Sequence, residues 1–152
     1  VAPSRGLGDV YKRQALMVKS GDESLATLDI ICIDLFTGIA DLMKAGAAAT
    51  YIKKDGVVQR VDFSSLPVGI LTDVKLEHRT LRLGNDDWVL MVSDGAVVSG
   101  DSWIMDIMKH WKSGSAQEMA QVIITEAKEN RNDNYDDDVT AIAMNFMSNI
   151  KD

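Results

Sequence analysis

The sequence has 152 residues, of which 46% are hydrophobic, and its formal net charge is −7. This length corresponds to one domain with a core of its own, and the acidic balance argues against nonspecific nucleic-acid binding, which needs a basic face. No apolar segment approaches the ~18 residues that cross a membrane, and no secretory signal is visible. The single cysteine, Cys32, lies in an apolar run, which predicts a small core residue in a reducing compartment.

The first residues do not fit the pattern that follows. We interpret residues 1–14, which carry Pro3 and two glycines and show no period, as a disordered or artefactual leader. Residues 15–148 are then expected to form part of one domain. Ala15–Lys19 is typical of a helix end closed by Ser20-Gly21, which implies that the domain begins inside an element.

Several strands follow. Thr27–Asp34 is apolar enough on both faces to predict a strand buried on both sides, and Ile39–Ala45 continues after a turn. Asp55-Gly56 stands between two further strand-like runs, which is a strong hairpin signal; we therefore assign it to a turn and not to a metal site. Ser65–Leu71 is predicted to be a loop over the core, and Val74–Leu83 a strand.

The stretch Trp88–Val92 is an uninterrupted apolar run that ends at Ser-Asp-Gly. It predicts a buried strand with one carboxylate, Asp94, at its end, and Gly95 permits a sharp exit of the backbone. The preceding Asp86 and Asp87 are interpreted as turn residues at the opposite end of this strand.

A second strand begins with carboxylates. Asp136-Asp137-Asp138 stands directly before the run Val139–Phe146. If the two strands are antiparallel neighbours, their acidic residues meet at one edge of the sheet. Clustered carboxylates repel one another unless they are protonated or bind a cation, and such oxygen ligands suit magnesium, manganese or calcium. Each motif alone is more often a turn or a solvated loop, and only their combination raises the metal hypothesis.

Between these two strands the period becomes helical. Trp103, Ile107 and Trp111 share one face of a first helix, with Asp101 or Ser102 as its cap. Ser115 and Glu118 form a capping box for a second helix, which ends near Glu129 and is expected to bury four residues, Met119, Val122, Ile123 and Ala127. His78 and His110 lack the spacing of metal ligands. Antiparallel strands with segregated helices predict an α+β layered fold.

Several motifs occur together in the order of a known family: Leu28–Asp34, Lys44–Ala48, Leu66–Ile70, Ser93-Asp94-Gly95 and Asp136–Thr140. The chain resembles the metal-dependent serine/threonine phosphatases of the type 2C (PPM) family, especially the sporulation stage II protein E branch. The resemblance covers about residues 15–147. It implies a layered sandwich of two antiparallel sheets flanked by helices, incomplete at the N-terminus.

The resemblance also implies a site. Asp94 and Asp137 correspond to metal ligands, Asp138 and Gly95 to residues that support them, and the complete domain would hold two Mn²⁺ or Mg²⁺ ions. Water that bridges the ions would attack phosphoserine or phosphothreonine in line, so no catalytic side chain beyond the metal ligands is needed. The implied substrate is a phosphorylated protein, possibly an anti-anti-sigma factor, in the cytoplasm, and the full-length parent of this branch is membrane-anchored.

The main departure from the family pattern is the lack of one metal ligand. An earlier Asp-Gly, usually followed by Met-Gly, supplies the ligand that bridges both metals, and this chain has no counterpart. A smaller one is Ala48-Ala49, where the family often has proline. A catalytically inactive PPM-like regulatory or interaction module is therefore the alternative reading. A calcium-binding loop ranks below both, because the acids lack its alternating spacing. Missing edge strands would expose unpaired backbone, which predicts a homodimer or marginal stability.

Overall fold

A computed structural model describes residues 26–63, 67, 77–130 and 137–147 of the chain. Within these ranges it contains seven strands and two α-helices, with a short 3₁₀ turn at Asp94–Ala96. The elements, in chain order, are β1 (Leu28–Ile33), β2 (Ile39–Ala45), β3 (Thr50–Lys54), β4 (Val57–Val61), β5 (Glu77–Arg82), β6 (Trp88–Val92), α1 (Ser102–His110), α2 (Ala116–Glu129) and β7 (Ala141–Asn145).

The strands form two antiparallel sheets. The first sheet has the order β1-β2-β5, and the second has the order β4-β3-β6-β7. Asp55 and Gly56 close the β3–β4 hairpin with φ angles of 49° and 76°, which are the left-handed values that this kind of tight turn requires. The predicted hairpin and the predicted α+β sandwich are therefore confirmed.

Two apolar layers hold the fold together. The first lies between the sheets, and the second lies between the second sheet and the helices. Along β6 successive side chains point to opposite faces, so Val89 and Met91 enter the layer between the sheets while Leu90 and Val92 pack on the helix side. Every residue of β6 is buried for this reason, as its uninterrupted apolar run predicts.

The helices cover the outer face of the second sheet. Ile104 and Met108 of α1 are buried, as are Met119, Ile123 and Ala127 of α2. The predicted capping box is present: the Ser115 hydroxyl accepts from the Glu118 N–H, and the Glu118 carboxylate accepts from the Ser115 N–H. The prediction that Val122 is buried is wrong, because Val122 is 36% exposed; it lies beside, and not on, the stripe that recurs every four residues.

The expected full burial of β1 is also wrong. Among the described strands β1 lies at one end of the order β1-β2-β5, and Cys32 is exposed on the face that points away from the second sheet. A strand with apolar residues on both faces is buried on both sides only if both faces are covered, and among the described residues only the inner face is.

Several sequence predictions lie outside the described residues. These are the leader 1–14, the helix end Ala15–Lys19, the loop Ser65–Leu71 apart from Pro67, and the residue Asp136. Within the described ranges, neither helix is long and apolar enough to cross a membrane.

Candidate metal-binding cleft

Asp94 stands where the buried strand β6 gives way to the 3₁₀ turn. Its side chain is exposed, and its Oδ1 accepts a hydrogen bond of 3.1 Å from the backbone N–H of Gly95. Gly95 and Ala96 are buried, and the Val97 N–H donates to the Asp94 carbonyl at 2.9 Å. The backbone that carries Asp94 is thus held in place while the carboxylate faces solvent.

Asp137 and Asp138 precede β7 and are both exposed. The Asp138 N–H donates to Oδ1 of Asp137 over 3.0 Å, which orients that carboxylate in the same way as Gly95 orients Asp94. β6 and β7 are antiparallel neighbours, with Val92 opposite Ala141. The pairing on which the metal hypothesis depends is therefore present.

Ser93 connects the two acidic segments. Its N–H donates to the Thr140 carbonyl at 3.0 Å, its hydroxyl accepts from the Thr140 N–H at 2.9 Å, and the same hydroxyl donates to the Asp138 carbonyl at 3.2 Å. Asp94 follows Ser93 directly, and Asp137 precedes Asp138 directly. These three hydrogen bonds bring the backbone segments that contain Asp94 and Asp137 to one edge of the sandwich.

A cavity of about 190 Å³ opens at this edge. One wall is formed by the end of β6, the residues Ser93 and Asp94, and Thr140 with Ile142 on the β7 side. The opposite wall belongs to the first sheet and consists of Thr27, Asp29 and the loop Gly46–Ala48. The cleft therefore lies between the two sheets, with Asp94 on its rim; Asp137 does not itself line it.

The wall opposite Asp94 contains a polar cluster that sequence reasoning missed. Asp29 and Lys44 are directly opposed across β1 and β2, and their side chains form an ion pair through Asp29 Oδ2. Lys44 is only 1% exposed and also donates to the Ala48 carbonyl at 2.6 Å. Thr50 donates to the same Asp29 oxygen at 3.3 Å. Burial lowers the pKa of Lys44, and the hydrogen bond to Asp29 opposes that shift.

One oxygen of this cluster is unsatisfied. Asp29 Oδ1 is buried and has no hydrogen-bond partner among the described residues. Such an atom costs about 1–3 kcal/mol, and more when it is charged. Among the described residues no three acidic, histidine or cysteine side chains form a metal-binding group. The exposed carboxylates of Asp94 and Asp137 suit a hard cation that keeps several of its waters, and in that sense the residues present fit Mn²⁺ or Mg²⁺.

The loop between β2 and β3 is tightly constrained where it borders the cleft. Gly46 has φ = 62°, and a Cβ atom there would lie 2.6 Å from the backbone nitrogen of Pro67. Glycine adopts this conformation more readily than residues with a Cβ atom, and the close approach of Pro67 leaves no room for one. Together with the bond from Lys44 to Ala48, this close approach holds the loop against the body of the domain.

The comparisons with known proteins agree with this architecture. A sequence model of the family described as stage II sporulation protein E matches residues 7–147. The chain belongs to the stage II sporulation protein E family. The curated relative from Bacillus subtilis (strain 168), stage II sporulation protein E, is 30% identical over 140 residues. The match covers 88% of this chain but only 17% of that protein, so the chain spans about a sixth of the length of this family member.

Solved structures show the same fold. The phosphatase domain of the cell fate determinant from B. subtilis superposes with a TM-score of 0.73 and 28% identity, and its manganese-presoaked form with 0.70 and 26%. Both matches cover 97% of this chain and 69% of the other. A serine/threonine phosphatase of Mycobacterium tuberculosis has a TM-score of 0.71 at 15% identity, with coverage of 93% and 68%, and at this identity the likeness shows the fold alone. The fold and family are those of a PP2C-type protein phosphatase domain.

Proposed function

We propose that this chain forms part of a protein serine/threonine phosphatase domain that removes phosphate from phosphoserine or phosphothreonine, with divalent cations bound by Asp94 and Asp137. The observation that carries the proposal is the set of three hydrogen bonds from Ser93, which joins the segments of both carboxylates beside the cleft. The membership of a phosphatase-domain family supports the reaction class.

Each proposed role follows from the chemistry of the side chain. The Asp94 and Asp137 carboxylates would hold Mn²⁺ or Mg²⁺, because hard cations prefer oxygen ligands, and two ions are expected in the complete domain. The backbone N–H groups of Gly95 and Asp138 orient these carboxylates, as partners of metal ligands commonly do. Bound cations supply charge stabilisation at the phosphoryl oxygens and activation of water, so the protein's own groups bind and orient without forming a covalent bond to substrate.

The remaining parts of the proposal concern partners and location. The substrate class is a phosphorylated protein, with an anti-anti-sigma factor as the specific candidate, and the chain acts in the cytoplasm as part of a membrane-anchored parent. A homodimer is the proposed assembly. The substrate and the location derive from the family resemblance, and the homodimer derives from the backbone that missing edge strands would leave unpaired.

A second function is a catalytically inactive regulatory or interaction module of the same fold. The observation that favours it is that the described residues contain no group of three metal ligands. The two functions differ in turnover, because a module would bind its partner without releasing phosphate.

Because the 152-residue chain alone is expected to be inactive or weakly active, phosphate release from a phosphoserine protein by a full-length parent, measured with and without Mn²⁺, tests the proposal. Asp94→Asn and Asp137→Asn are each expected to lower Mn²⁺-dependent turnover by at least about 100-fold, since removing even an outer partner of a ligand costs 10–100-fold. The matched control is Asp41→Asn, which removes one carboxylate from β2 and leaves the cleft unchanged; it should retain turnover within about twofold.

Two results would contradict the phosphatase assignment. Turnover that survives Asp94→Asn would remove the role of that carboxylate. A folded full-length parent that contains this chain, binds phosphoprotein and releases no phosphate at saturating Mn²⁺ would establish the regulatory module in its place.

A further inference from the structure

The residues around Asp94 form a short segment that is anchored at both ends. Ser93 fixes the first end to the residues before β7 through its three hydrogen bonds. Asp101 fixes the second end, because its Oδ2 accepts from the Tyr51 hydroxyl at 2.8 Å and from Arg60 Nε at 2.6 Å. Asp94 therefore lies between two points that are tied to different strands of the second sheet.

Backbone hydrogen bonds connect Asp94 to the second anchor in steps of three residues. The Val97 N–H donates to the Asp94 carbonyl at 2.9 Å, and the Gly100 N–H donates to the Val97 carbonyl at 2.9 Å. Gly100 directly precedes Asp101, and residues 98–100 are exposed. Among the described residues, the hydrogen bonds that attach this later half of the segment to the sheet are those of Asp101. A displacement of Asp101 would therefore reach Asp94 along the backbone, without a direct contact between the two side chains.

Asp101 directs its side chain to the sheet and not to the helix that follows it. It stands at the N-cap position of α1, but its side chain makes no capping hydrogen bond, although an aspartate cap typically stabilises a helix by about 1 kcal/mol. Its partner Tyr51 is completely buried and lies on β3, which pairs with β6. The anchor is thus fixed relative to the strand that ends at Asp94.

We propose that Asp101, held by Tyr51 and Arg60, is a positioning residue for Asp94: it orders the segment that follows Asp94 and so keeps this carboxylate in the geometry that a cation requires. The inference rests on the proposed function, because it needs a cation at Asp94. A functional side chain must be held within about 0.5 Å of its productive position. Substitutions that act on a site through a connecting segment typically change the coupling by about 2–30-fold.

Two measurements on a full-length parent that contains this chain test the role. The first is hydrogen exchange without metal, followed by mass spectrometry in the peptide that spans residues 93–101. The second is calorimetric titration with MnCl₂. Tyr51→Phe and Asp101→Asn should each speed exchange in this peptide and weaken Mn²⁺ binding by at least about threefold. Because Tyr51→Phe changes no charge at neutral pH, its effect on affinity cannot arise from a weaker attraction of the cation.

Two control variants separate positioning from charge and from stability. Asp62→Asn also removes a carboxylate that binds Arg60, but Asp62 lies outside the segment, and exposed ion pairs contribute little. Ser115→Ala lowers stability through the cap of α2 and leaves the segment intact. Both variants should bind Mn²⁺ within about twofold of the unsubstituted protein.

The outcomes separate the two proposals. If Asp94→Asn weakens Mn²⁺ binding but Tyr51→Phe and Asp101→Asn bind within about twofold of the unsubstituted protein, the network is purely structural and the positioning role is wrong. Weaker binding without faster exchange in the peptide would also overturn the role, because it acts through the order of the segment.

A different result would reject the cation site itself. If Asp94→Asn leaves the affinity unchanged, or the unsubstituted parent binds no Mn²⁺, the proposed function fails and the positioning role fails with it. Should Asp101→Asn lose its folded circular dichroism spectrum, Tyr51→Phe alone decides, with the same threefold and twofold limits.

Discussion

Replacing Tyr51 by phenylalanine would remove one hydroxyl group from the interface between the second sheet and α1. Tyr51 is completely buried, and its hydroxyl donates to Oδ2 of Asp101 at 2.8 Å. Arg60 donates to the same oxygen at 2.6 Å and to Asp62 at 2.7 Å. Asp101 is the residue before α1, yet its side chain makes no capping bond to the helix. The network instead links Asp101, seven residues after Asp94, to β3 and β4.

The expected cost follows from the type of hydrogen bond. A bond to a charged group is worth about 1.5–3 kcal/mol. Because Arg60 still pairs with Asp101 in the variant and the ring still fills its site, Tyr51→Phe should cost about 1.5 kcal/mol of unfolding free energy. For a chain of this size, that corresponds to a fall of about 3–6 °C in the melting temperature. Urea unfolding, monitored by tryptophan fluorescence and by circular dichroism, measures the loss of unfolding free energy.

The pH dependence supplies an independent check. Burial, followed by the hydrogen bond to Asp101, raises the pKa of Tyr51 above its ordinary value of 10.0. A raised pKa in the folded state means that the stabilisation is complete below pH 10 and is lost as the pH rises further. The Arg60 hydrogen bond lowers the pKa of Asp101 below 3.8, so its contribution is lost only as the pH falls below that value. The difference between the unsubstituted chain and Tyr51→Phe should therefore be constant from pH 5 to pH 9 and decline above pH 10.

The matched control is Thr80→Val, which breaks the exposed 2.7 Å bond to Asp41. Exposed substitutions usually change stability by less than about 0.5 kcal/mol, and we expect that here. If Tyr51→Phe costs no more than this control at pH 7, or if its cost grows above pH 10, the network does not stabilise the fold in the way described.

Two further substitutions test local features. Gly46→Ala should lower the free energy of unfolding by more than about 2 kcal/mol in urea unfolding, because it adds a steric clash with Pro67 to the strain of a positive φ. The control Gly56→Ala, whose site is open, should cost only about 1 kcal/mol. Equal costs for the two variants would mean that the contact with Pro67 is unimportant. Ser115→Ala removes the capping bond to the Glu118 N–H and should lower the free energy of unfolding by about 1 kcal/mol. A loss below about 0.3 kcal/mol would contradict a stabilising role of the capping box.

Features that depend on neighbouring residues could be predicted from the sequence. The capping box needs two residues three positions apart, and the hairpin needs Asp-Gly between two strands; both are present as predicted. The full burial of β6 also followed from its composition, since five consecutive apolar residues leave no face for solvent.

Features that depend on strand order could not be predicted in the same way. Cys32 is exposed because no described residue covers the outer face of β1, and nothing in its apolar run specifies that this face stays uncovered. The pairing of Asp29 with Lys44 follows from the β1–β2 register, which the two strands do not show separately. The sequence nevertheless contained one signal of this buried ion pair, because Lys44 alternates with Ala40 and Leu42 on the inward face of β2.

The sequence by itself determined which segments form strands and helices, and its family resemblance predicted Asp94 and Asp137 as ligands of a hard cation. The tertiary structure decided that β7 lies beside β6, that Ser93 joins the segments of Asp94 and Asp137, and that Asp29 faces them across the cleft. The physical reason is the range of the interactions. Secondary structure and caps arise from contacts within a few residues, whereas the edge of a sandwich is assembled from segments tens of residues apart, whose adjacency only the packed layers impose.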